Sequence, residues 1–539
     1  MSMSELEAAP PRPDRPLGLR QLLAFFGMAV GMFLSVLSIQ IVGSSFSEIR
    51  AGLSAGPDEV SWVLTAALIA EVIMIPLSGW LSQLFSTRWL FTICSIGFMS
   101  ASVACASAWN IESMIVFRAF QGFCGGAIAP MVFATIFSAF PARYQNVLSA
   151  IVSLLGTGAV ALGPSLGGWI SETLSWEWLF LFNVPFSVLA TVLVGSLVDF
   201  DKPQWHLFKR IDIVGILLLA TFFISLLIVL EEGRREDWFA SDMIVVFSVV
   251  TVVTGICLFW HELTCAHPVV DLRVFKQRNF AMGTFYIAVF GAGLFVPLYL
   301  LPLFLGRVLG LSTLQIGTWI FVLGISMMIA GFFVPLLVKY FRLRTIALVG
   351  FSLLALGTYF QANLNVNTSF ASLLLPQVLR GFATQLCFLS MVRLALGLLP
   401  VDQVKNGTSL FQLTMRLGAA IAVAIANSFL IVRSEIHYQQ FRETIGQGHH
   451  YASDVFDLFS SRLRPGLGGS PDTATASLQL LIEMSRRDAL IRAFNEITIV
   501  TSICIAIAII LIPLVQSVRD RAVQTAREET AEKERKRET

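Results

Sequence analysis

The sequence predicts an all-α integral membrane protein, and three observations support this fold class. The 539 residues are 56% hydrophobic and only 13% charged, whereas soluble domains carry about a quarter charged residues. Apolar stretches of about 20 residues, the length of helix that crosses roughly 30 Å of hydrocarbon, recur along almost the whole chain. Stretches such as residues 151–170 do not alternate between polar and apolar residues, which rejects a membrane β-barrel.

Polar breaks divide the apolar stretches into fourteen predicted spans, numbered 1 to 14 along the chain. They are expected near residues 21–43, 60–81, 89–109, 113–138, 147–171, 177–198, 212–230, 242–261, 281–305, 314–338, 344–362, 370–398, 408–432 and 494–516. Spans 1 to 6 form a predicted N-terminal six-helix bundle, residues 21–198, and spans 9 to 14 a C-terminal bundle, residues 262–516. The linker between them, residues 199–261, carries the two extra spans.

The positions of the basic residues predict the orientation. Short loops on one side of the membrane hold most of them: Arg12, Arg15, Arg20, Arg88, Arg143, Lys202, Lys209, Arg210, Arg273, Lys276, Arg278, Lys339, Arg342, Arg344 and Lys405. The short loops on the other side hold only Arg50, Arg234, Arg235 and Arg307. Since positive loops stay inside, the N-terminal segment 1–20 and the charged tail 517–539 are both expected in the cytoplasm, with the chain in the inner (plasma) membrane.

A long loop at residues 433–493 is predicted on the outer face. Apolar residues recur there at near-helical spacing on either side of a Pro/Gly/Ser-rich break. We therefore expect amphipathic helices in this loop. Two interpretations remain open: a solvated loop that lies on the membrane surface, or a docking element for a partner protein.

The composition argues against several other classes of protein. A net charge of +2 gives no reason to expect a nucleic-acid partner. The seven cysteines have no paired spacing typical of disulfides or zinc, and the six histidines all fall in loops or at span ends. His261, Glu262 and His267 do not form a zincin pattern, because six residues place the two imidazoles on different helix faces. We expect no cofactor, no metal and no enzymatic activity.

A short internal repeat relates the two predicted bundles. Residues 118–123 in span 4 read RAFQGF, and residues 377–382 in span 12 read QVLRGF, the same frame with Arg and Gln exchanged. Two parallel halves, with the substrate site at their interface near the middle of the membrane, are a known transporter arrangement. The repeat gives this arrangement modest support.

Span 5 carries the most specific motif. Residues 156–168 read GTGAVALGPSLGG, in which small residues let helix backbones approach and a proline bends the helix. The segment resembles the antiporter motif of the major facilitator superfamily, in its fourteen-span drug:proton antiporter branch (EmrB/QacA type). The motif residues are Gly156, Gly158, Gly163, Pro164, Gly167 and Gly168. The alternative is ordinary packing of small residues.

Residues 79–81, 117–122 and 176–185 add further matches, and the resemblance covers nearly the whole chain. It implies the major facilitator fold and proton-coupled efflux, by antiport, of small hydrophobic or amphipathic compounds such as drugs. Members with a long outer loop before the last span often work with a periplasmic adaptor (membrane fusion protein) and an outer-membrane channel. Both are therefore possible partners, beside the substrate, protons and membrane lipid.

The chain departs from the family pattern at two places. Family members usually carry an aspartate late in span 1, where this chain has Ser38. The loop that joins spans 2 and 3, residues 82–88, lacks the usual acidic residue and most of the basic ones. The usual proton-linked carboxylate of span 1 is missing, and the usual gating ion pairs are in doubt.

Glu71 is the favoured proton carrier. It lies about eleven residues from either end of span 2, roughly 16 Å deep, and a charge at the bilayer centre costs at least about 2.5 to 3.5 kcal/mol. Burial favours the neutral form of a carboxylate and a nearby cation favours the charged form, so an alternating environment can load and release a proton. The alternative is a permanently protonated Glu71 that hydrogen-bonds inside the bundle.

Polar side chains at other positions are candidates for the substrate cavity. Arg118 is predicted at a depth similar to that of Ser38 and Gln40, and these three side chains and Gln121 are expected to form one polar cluster. Arg118 can hold an anion or influence a carboxylate but cannot carry the proton, because guanidinium does not deprotonate. Gln377, Arg380 and Arg416 are the candidates of the second half. A structural role is the alternative for each arginine.

Three other functions stay open. A proton symporter or a dedicated exporter of one metabolite, with the same fold, is the closer rival to drug antiport. A membrane sensor or scaffold that has lost transport is motivated by Ser38 and the altered loop after span 2. The retention of Glu71, Arg118 and the motif in span 5 argues against this last function.

Overall fold

The computed structural model describes residues 18–43, 45–265, 268–397, 399–446 and 471–512. The long helices are Leu19–Gly43, Pro57–Leu84, Thr87–Ala106, Ile111–Gly126 with Ile128–Ala139, Ala142–Thr173, Trp178–Leu181 with Asn183–Leu197, Ile213–Glu232, Asp242–Thr264, Arg278–Arg307, Thr313–Tyr340, Leu343–Gln361, Phe370–Leu396, Val401–Gly446 and Pro471–Ile510. A short helix, Phe46–Gly52, and three 3₁₀ segments, Trp205–Arg210, Trp238–Ala240 and Leu272–Lys276, lie in the connections. The predicted tail and the middle of the long loop fall outside the described residues.

The predicted fold class and span count are confirmed. Within the described residues, thirteen helices are long and apolar enough to cross a membrane, and a bent pair, Arg143–Val160 and Leu162–Thr173, supplies the fourteenth span. The helices therefore correspond one by one to spans 1 to 14. The side on which span 1 begins is called the N-terminal face, and the other side the opposite face.

The two halves pack their helices in matching ways. In the first half, Gly122 of span 4 lies so close to span 2 that an added Cβ would stand 2.2 Å from the carbonyl oxygen of Ala67. In the second half, Gly381 of span 12 lies so close to span 10 that an added Cβ would stand 2.9 Å from the carbonyl oxygen of Leu323. Only glycine permits such approaches, so the shared frame of the two segments has a common structural cause.

A polar contact repeats in the same register. Arg118 Nε donates to the carbonyl oxygen of Val63 at 3.2 Å, four residues before the Ala67 contact. Gln377 Nε2 donates to the carbonyl oxygen of Trp319 at 3.0 Å, four residues before the Leu323 contact. The Arg/Gln exchange in the repeat therefore preserves a hydrogen bond to the neighbouring helix.

Span 5 bends by 46° at the break between Val160 and Leu162. Pro164, inside the helix, has no N–H to donate to the carbonyl four residues earlier, and its ring clashes with that carbonyl, which accounts for the bend. The bent helix packs along span 1 of its own half and along span 10 of the other half. It therefore contributes to the interface between the halves.

Spans 13 and 14 are much longer than a membrane requires. The helix Val401–Gly446 has 46 residues and Pro471–Ile510 has 40, against about 20 for a span. The described parts of the long loop thus continue these spans, which differs from the separate amphipathic helices that the sequence suggested. Neither helix contains a proline after its first residue, so nothing ends the helices where hydrophobicity falls.

Ion pairs hold the extensions of spans 13 and 14 together. Arg433 donates two hydrogen bonds to the Glu496 carboxylate, from Nε at 2.6 Å and from Nη2 at 2.9 Å. His437 Nε2 lies 2.9 Å from the same carboxylate. The Arg492 guanidinium stacks over the Phe441 ring, 4.8 Å from its centre. The two helices leave the bundle as a paired, antiparallel unit.

Candidate functional site

A cavity lies between the two halves, with about 610 Å³ of space unoccupied by atoms, counting its opening. Spans 1, 2, 4 and 5 line it from the first half and spans 9, 12 and 13 from the second half. Its lining residues include Met32, Val36, Glu71, Ile75, Phe133, Val152, Gly156, Thr157, Phe290, Leu294, Phe388, Gln412, Met415 and Arg416. Most of these side chains are apolar, so the few polar ones define the chemistry of the cavity.

An ion pair crosses this cavity from one half to the other. Arg416 Nη2 in span 13 donates to Glu71 Oε1 in span 2 at 2.8 Å. Glu71 is only 5% exposed, and its second oxygen, Oε2, is buried without a hydrogen-bond partner among the described residues. The carboxylate is thus half satisfied, and its free oxygen can take a proton or a donor group of a bound molecule.

Glycine and proline residues place Glu71 at the cavity wall. Gly126, where the first helical segment of span 4 ends, packs on the backbone of span 2 so closely that an added Cβ would stand 2.6 Å from the carbonyl oxygen of Glu71. Pro76 lies inside span 2, a little more than one turn beyond Glu71. Gln412, one turn before Arg416, also lines the cavity and extends its polar strip along span 13.

Arg118 lies in a separate cluster, nearer the opposite face. Its Nη1 donates to Gln121 Oε1 at 2.5 Å and to the carbonyl oxygen of Ser38 at 3.5 Å, while Gln121 Nε2 donates to Ser102 Oγ at 2.7 Å. The guanidinium also lies over the Phe180 ring, 5.7 Å from its centre. Arg118 thus ties span 1 to span 2, and no hydrogen bond between it and Glu71 is present in the described part of the chain.

The expected members of the Arg118 cluster do not all meet. Ser38 participates through its backbone carbonyl, because its hydroxyl donates to Ser35 O at 3.2 Å. Gln40 packs instead against the motif of span 5: an added Cβ on Gly163 would stand 2.3 Å from Gln40 Cβ. Gln40 therefore marks a tight contact between spans 1 and 5.

The second half has its own buried arginine. Arg380 Nη1 donates to Gln361 Oε1 at 2.6 Å, and its Nη2 donates to the carbonyl oxygen of Leu294 at 3.5 Å. The side chain is 1% exposed and has no carboxylate partner among the described residues. Like Arg118, it joins neighbouring helices of one half, whereas Arg416 alone of the predicted arginines pairs with an acid across the cavity.

The motif of span 5 lies at the interface between the halves. Ser165 Oγ donates to the carbonyl oxygen of Gly317 at 2.6 Å, and an added Cβ on Gly168 would stand 3.2 Å from Thr313 Cγ2. Gly167 accepts a hydrogen bond from Ser171 Oγ at 2.8 Å. Gly156 lines the cavity, whereas an added Cβ on Gly158 meets nothing within 4 Å. The motif therefore has its tightest contacts toward the opposite face.

Gln385 of span 12 is a cross-interface residue that the sequence analysis missed. Ser153 Oγ donates to its Oε1 at 2.7 Å, and its Nε2 donates to Thr157 Oγ1 at 2.8 Å. All three side chains are buried. The repeat places Gln385 four residues after Gly381 on span 12, and that position was the only available signal.

A polar latch joins the two halves at the N-terminal face. Asp201, after span 6, accepts hydrogen bonds from the backbone N–H of Thr87 at 3.0 Å and from its hydroxyl at 2.9 Å, and it pairs with Lys405 at the start of span 13. Lys405 Nζ also donates to the carbonyl oxygen of Ser82 at 2.9 Å. The Asp201–Lys405 pair thus lies beside the loop after span 2, the loop that lacks the usual charged residues.

We expect Asp201→Asn to open the N-terminal face. A hydrogen bond to a charged group contributes about 1.5–3 kcal/mol, so the ratio of closed to open molecules should fall roughly tenfold to a hundredfold. Spin labels are placed at the exposed positions Lys202 and Lys276, one in each half. Pulsed electron paramagnetic resonance should then show a longer distance between the two labels. The matched control is Lys202→Gln, with the first label moved to Gln204. An unchanged distance distribution in Asp201→Asn would show that the latch does not hold the face closed.

Comparisons with known proteins agree with this architecture. A family model described as the Major Facilitator Superfamily matches residues 28–423. The colistin resistance protein EmrB of Acinetobacter baumannii is 32% identical over 478 residues, which cover 88% of this chain and 92% of that protein. The multidrug export protein EmrB of Escherichia coli K12 is 28% identical over 486 residues, which cover 90% and 93%.

Solved structures share the fold at low sequence identity. The human organic anion transporter MFSD10 (TETRAN) aligns with a TM-score of 0.55 and 12% identity, over 91% of this chain and all of that one. The proton:xylose symporter XylE aligns with a TM-score of 0.54 and 12% identity, over 92% and 96%. At these identities the likeness concerns the fold alone.

Proposed function

The chain belongs to the major facilitator superfamily, and from this premise we propose that it exports small hydrophobic or amphipathic compounds, such as drugs, across the inner membrane in exchange for protons. The ion pair between Glu71 and Arg416 carries the proposal, because it joins the two halves inside an apolar cavity. The names of the relatives, which include multidrug export and colistin resistance proteins, support the class of cargo.

We assign the transported proton to Glu71, because a carboxylate can gain and lose a proton whereas a guanidinium group is not deprotonated in proteins. When Glu71 takes a proton, its attraction to Arg416 is lost and the link between spans 2 and 13 weakens. When the proton leaves, the pair forms again and draws the two spans together. The site thus alternates between two charge states that favour different arrangements of the halves, which is the requirement for antiport.

The cargo class follows from the lining of the cavity. Phenylalanine and aliphatic side chains supply most of the contact surface, with Thr157 and Gln412 as neutral polar groups. Such walls accept varied apolar bodies, while the pair at Glu71 and Arg416 discriminates by charge. A cationic or donor-bearing group of the cargo competes with the proton for Glu71, which couples export to proton entry.

The orientation and location remain those of the sequence analysis. With basic loops inside, the N-terminal face with its Asp201–Lys405 latch faces the cytoplasm, and both termini lie there. The closed latch then separates the cavity from the cytoplasm. Reaction of a membrane-impermeant thiol reagent, from outside intact cells, with a cysteine placed at residue 202 would contradict this orientation.

The paired extensions of spans 13 and 14 then project outward, and we propose that they contact a periplasmic adaptor, which in turn leads to an outer-membrane channel. Their length and the triad of Arg433, His437 and Glu496 give them a fixed direction. Crosslinking from photoreactive residues on the extensions should capture a periplasmic protein. If it captures none in cells that show export, the proposal of an adaptor fails.

Proton movement in liposomes tests the function directly. Purified protein is reconstituted with a pH-sensitive dye inside the vesicles, and lipophilic cations, detergents and weak acids are added in turn. An antiporter moves protons against the direction of its cargo, so accumulation of cargo and loss of luminal protons should be linked. Proton movement in the same direction as the cargo would establish a symporter, and the absence of any cargo-dependent proton flux would refute proton coupling.

A further inference from the structure

A cluster of metal-binding side chains lies at the N-terminal face, outside the cavity. It joins the start of span 7 to the end of span 8, the two extra spans of the linker. Asp212, His261 and Cys265 each offer one ligand atom, and these atoms all lie within 4.8 Å of one another. From this geometry we propose a binding site for a first-row divalent metal ion of the zinc type, formed by these three side chains, with the Glu262 carboxylate beside it.

The helices bring the ligands together for simple reasons. His261 and Cys265 are four residues apart at the end of span 8, a spacing that places both side chains on one helix face. Asp212 caps the start of span 7, where its Oδ1 accepts from the N–H of Gly215 at 2.8 Å, and both of its oxygens lie 2.8 Å from His261 Nε2. His261 and Cys265 of span 8 and the capping residue Asp212 of span 7 therefore point toward one place.

Glu262 provides a second observation that points to a ligand. It is only 1% exposed, yet its Oε1 is buried with no hydrogen-bond partner among the described residues. A Cβ placed on Gly215 would stand 3.0 Å from this oxygen and 2.5 Å from Asp212 Oδ2, so the two carboxylates share one small space. A buried carboxylate oxygen without a donor is costly, and a cation bound beside it would stabilise Glu262 Oε1.

The donor set selects the class of metal. Imidazole and thiolate favour zinc and its neighbours over magnesium and calcium, which prefer oxygen ligands alone. Ligand atoms of a tetrahedral zinc site, with bonds of about 2.0–2.3 Å, lie about 3.3–3.8 Å apart. The His261 and Asp212 ligand atoms, 2.8 Å apart, must separate by about 0.5 Å to reach this spacing. The Cys265 sulfur, which lies within 4.8 Å of them, must approach by at most about 1.0–1.5 Å, and rotation of Cys265 just after the end of its helix can supply this movement. A zinc-bound cysteine is a thiolate, so metal binding should release the thiol proton of Cys265.

Metal binding to the purified, reduced full-length protein tests the site. Zn²⁺ is titrated in competition with a chromophoric chelator, and Co²⁺ is used as a spectroscopic probe. We expect one ion per chain and a thiolate-to-cobalt charge-transfer band. Because loss of even an outer-shell partner weakens binding about 10–100-fold, Cys265→Ser should weaken Zn²⁺ binding at least that much and abolish the band. Zn²⁺ should also raise the unfolding temperature of the unaltered chain and not that of Cys265→Ser.

The controls separate this site from adventitious binding. Cys504→Ser removes an exposed cysteine of span 14 and should leave binding, the cobalt band and the unfolding temperature unchanged. His261→Gln, which keeps a polar side chain beside Asp212, should weaken binding as Cys265→Ser does. The proposal is overturned if the unaltered protein binds no stoichiometric ion, or if Cys265→Ser and His261→Gln bind Zn²⁺ as tightly as the unaltered chain does.

Discussion

Glu71→Gln should abolish proton-driven export while the protein still folds and inserts. The amide keeps the size of the carboxyl group and can still accept a hydrogen bond from Arg416, but it cannot gain or lose a proton. The charge difference between the two states of the cavity disappears, and the proton gradient can no longer bias the halves. In liposomes with an imposed pH gradient, accumulation of cargo should fall to the level of vesicles without protein.

Cargo exchange distinguishes lost coupling from lost structure. Glu71→Gln should still exchange labelled for unlabelled cargo across a membrane without a pH gradient, because the cavity and its apolar walls remain. Glu59→Gln is the matched control, since Glu59 is exposed at the start of the same span and should pump normally. Normal pumping by Glu71→Gln would remove Glu71 from the mechanism.

Arg118→Ala should slow transport but preserve its pH dependence, because Arg118 positions spans 1 and 2.

The positions of the spans and the burial of Glu71 could be predicted from the sequence for one physical reason. Hydrophobicity over about 20 residues is a local property, and so is the depth of a charged residue within such a stretch. The span count and the buried position of Glu71 are both found in the structure. Close helix contacts at Gly122 and Gly381 could also be predicted, because the repeated sequence places small residues at equivalent positions of the two halves.

The partners of these residues could not be predicted, because they are distant along the chain. Arg416 is separated from Glu71 by 345 positions, and Asp201 from Lys405 by 204, so only the folded interface brings them together. The sequence offered both Arg118 and Arg416 as candidates, and in the structure Arg416 is the one that donates a hydrogen bond to Glu71. Among several intramembrane arginines, depth along a helix does not reveal which one faces the cavity.

The continuity of spans 13 and 14 with the helices of the long loop was not predicted, for a related reason. Falling hydrophobicity marks where a helix leaves the membrane, but a helix ends only where its backbone bonds are interrupted or capped. From Asp402 to Glu443 the chain has no proline and only two glycines, and the helix continues. Side-chain pairs such as Arg433 with Glu496 then stabilise the extension outside the apolar region. Helix breakers therefore predict the end of these helices better than hydrophobicity does.

Arg416→Leu should destabilise the protein strongly, by about 3–5 kcal/mol, the cost of removing one partner of a buried ion pair. The substitution leaves the Glu71 carboxylate with neither of its oxygens paired, inside a cavity whose other walls are largely apolar. Unfolding in lipid nanodiscs, followed by tryptophan fluorescence against denaturant, measures the loss. Arg442→Leu, an exposed arginine farther along the same helix, is the matched control and should change stability little.

The double variant decides whether the ion pair causes this loss. If Arg416→Leu destabilises the protein by leaving the buried Glu71 carboxylate without its partner, then adding Glu71→Gln removes that unpaired charge and should restore most of the stability. The two substitutions would then be strongly non-additive, and the coupling free energy would measure the link between spans 2 and 13. If the losses simply add, Arg416 stabilises the fold through its packing alone. Protonation of Glu71 would then break no ionic contact with Arg416, and the proposed exchange mechanism would be refuted.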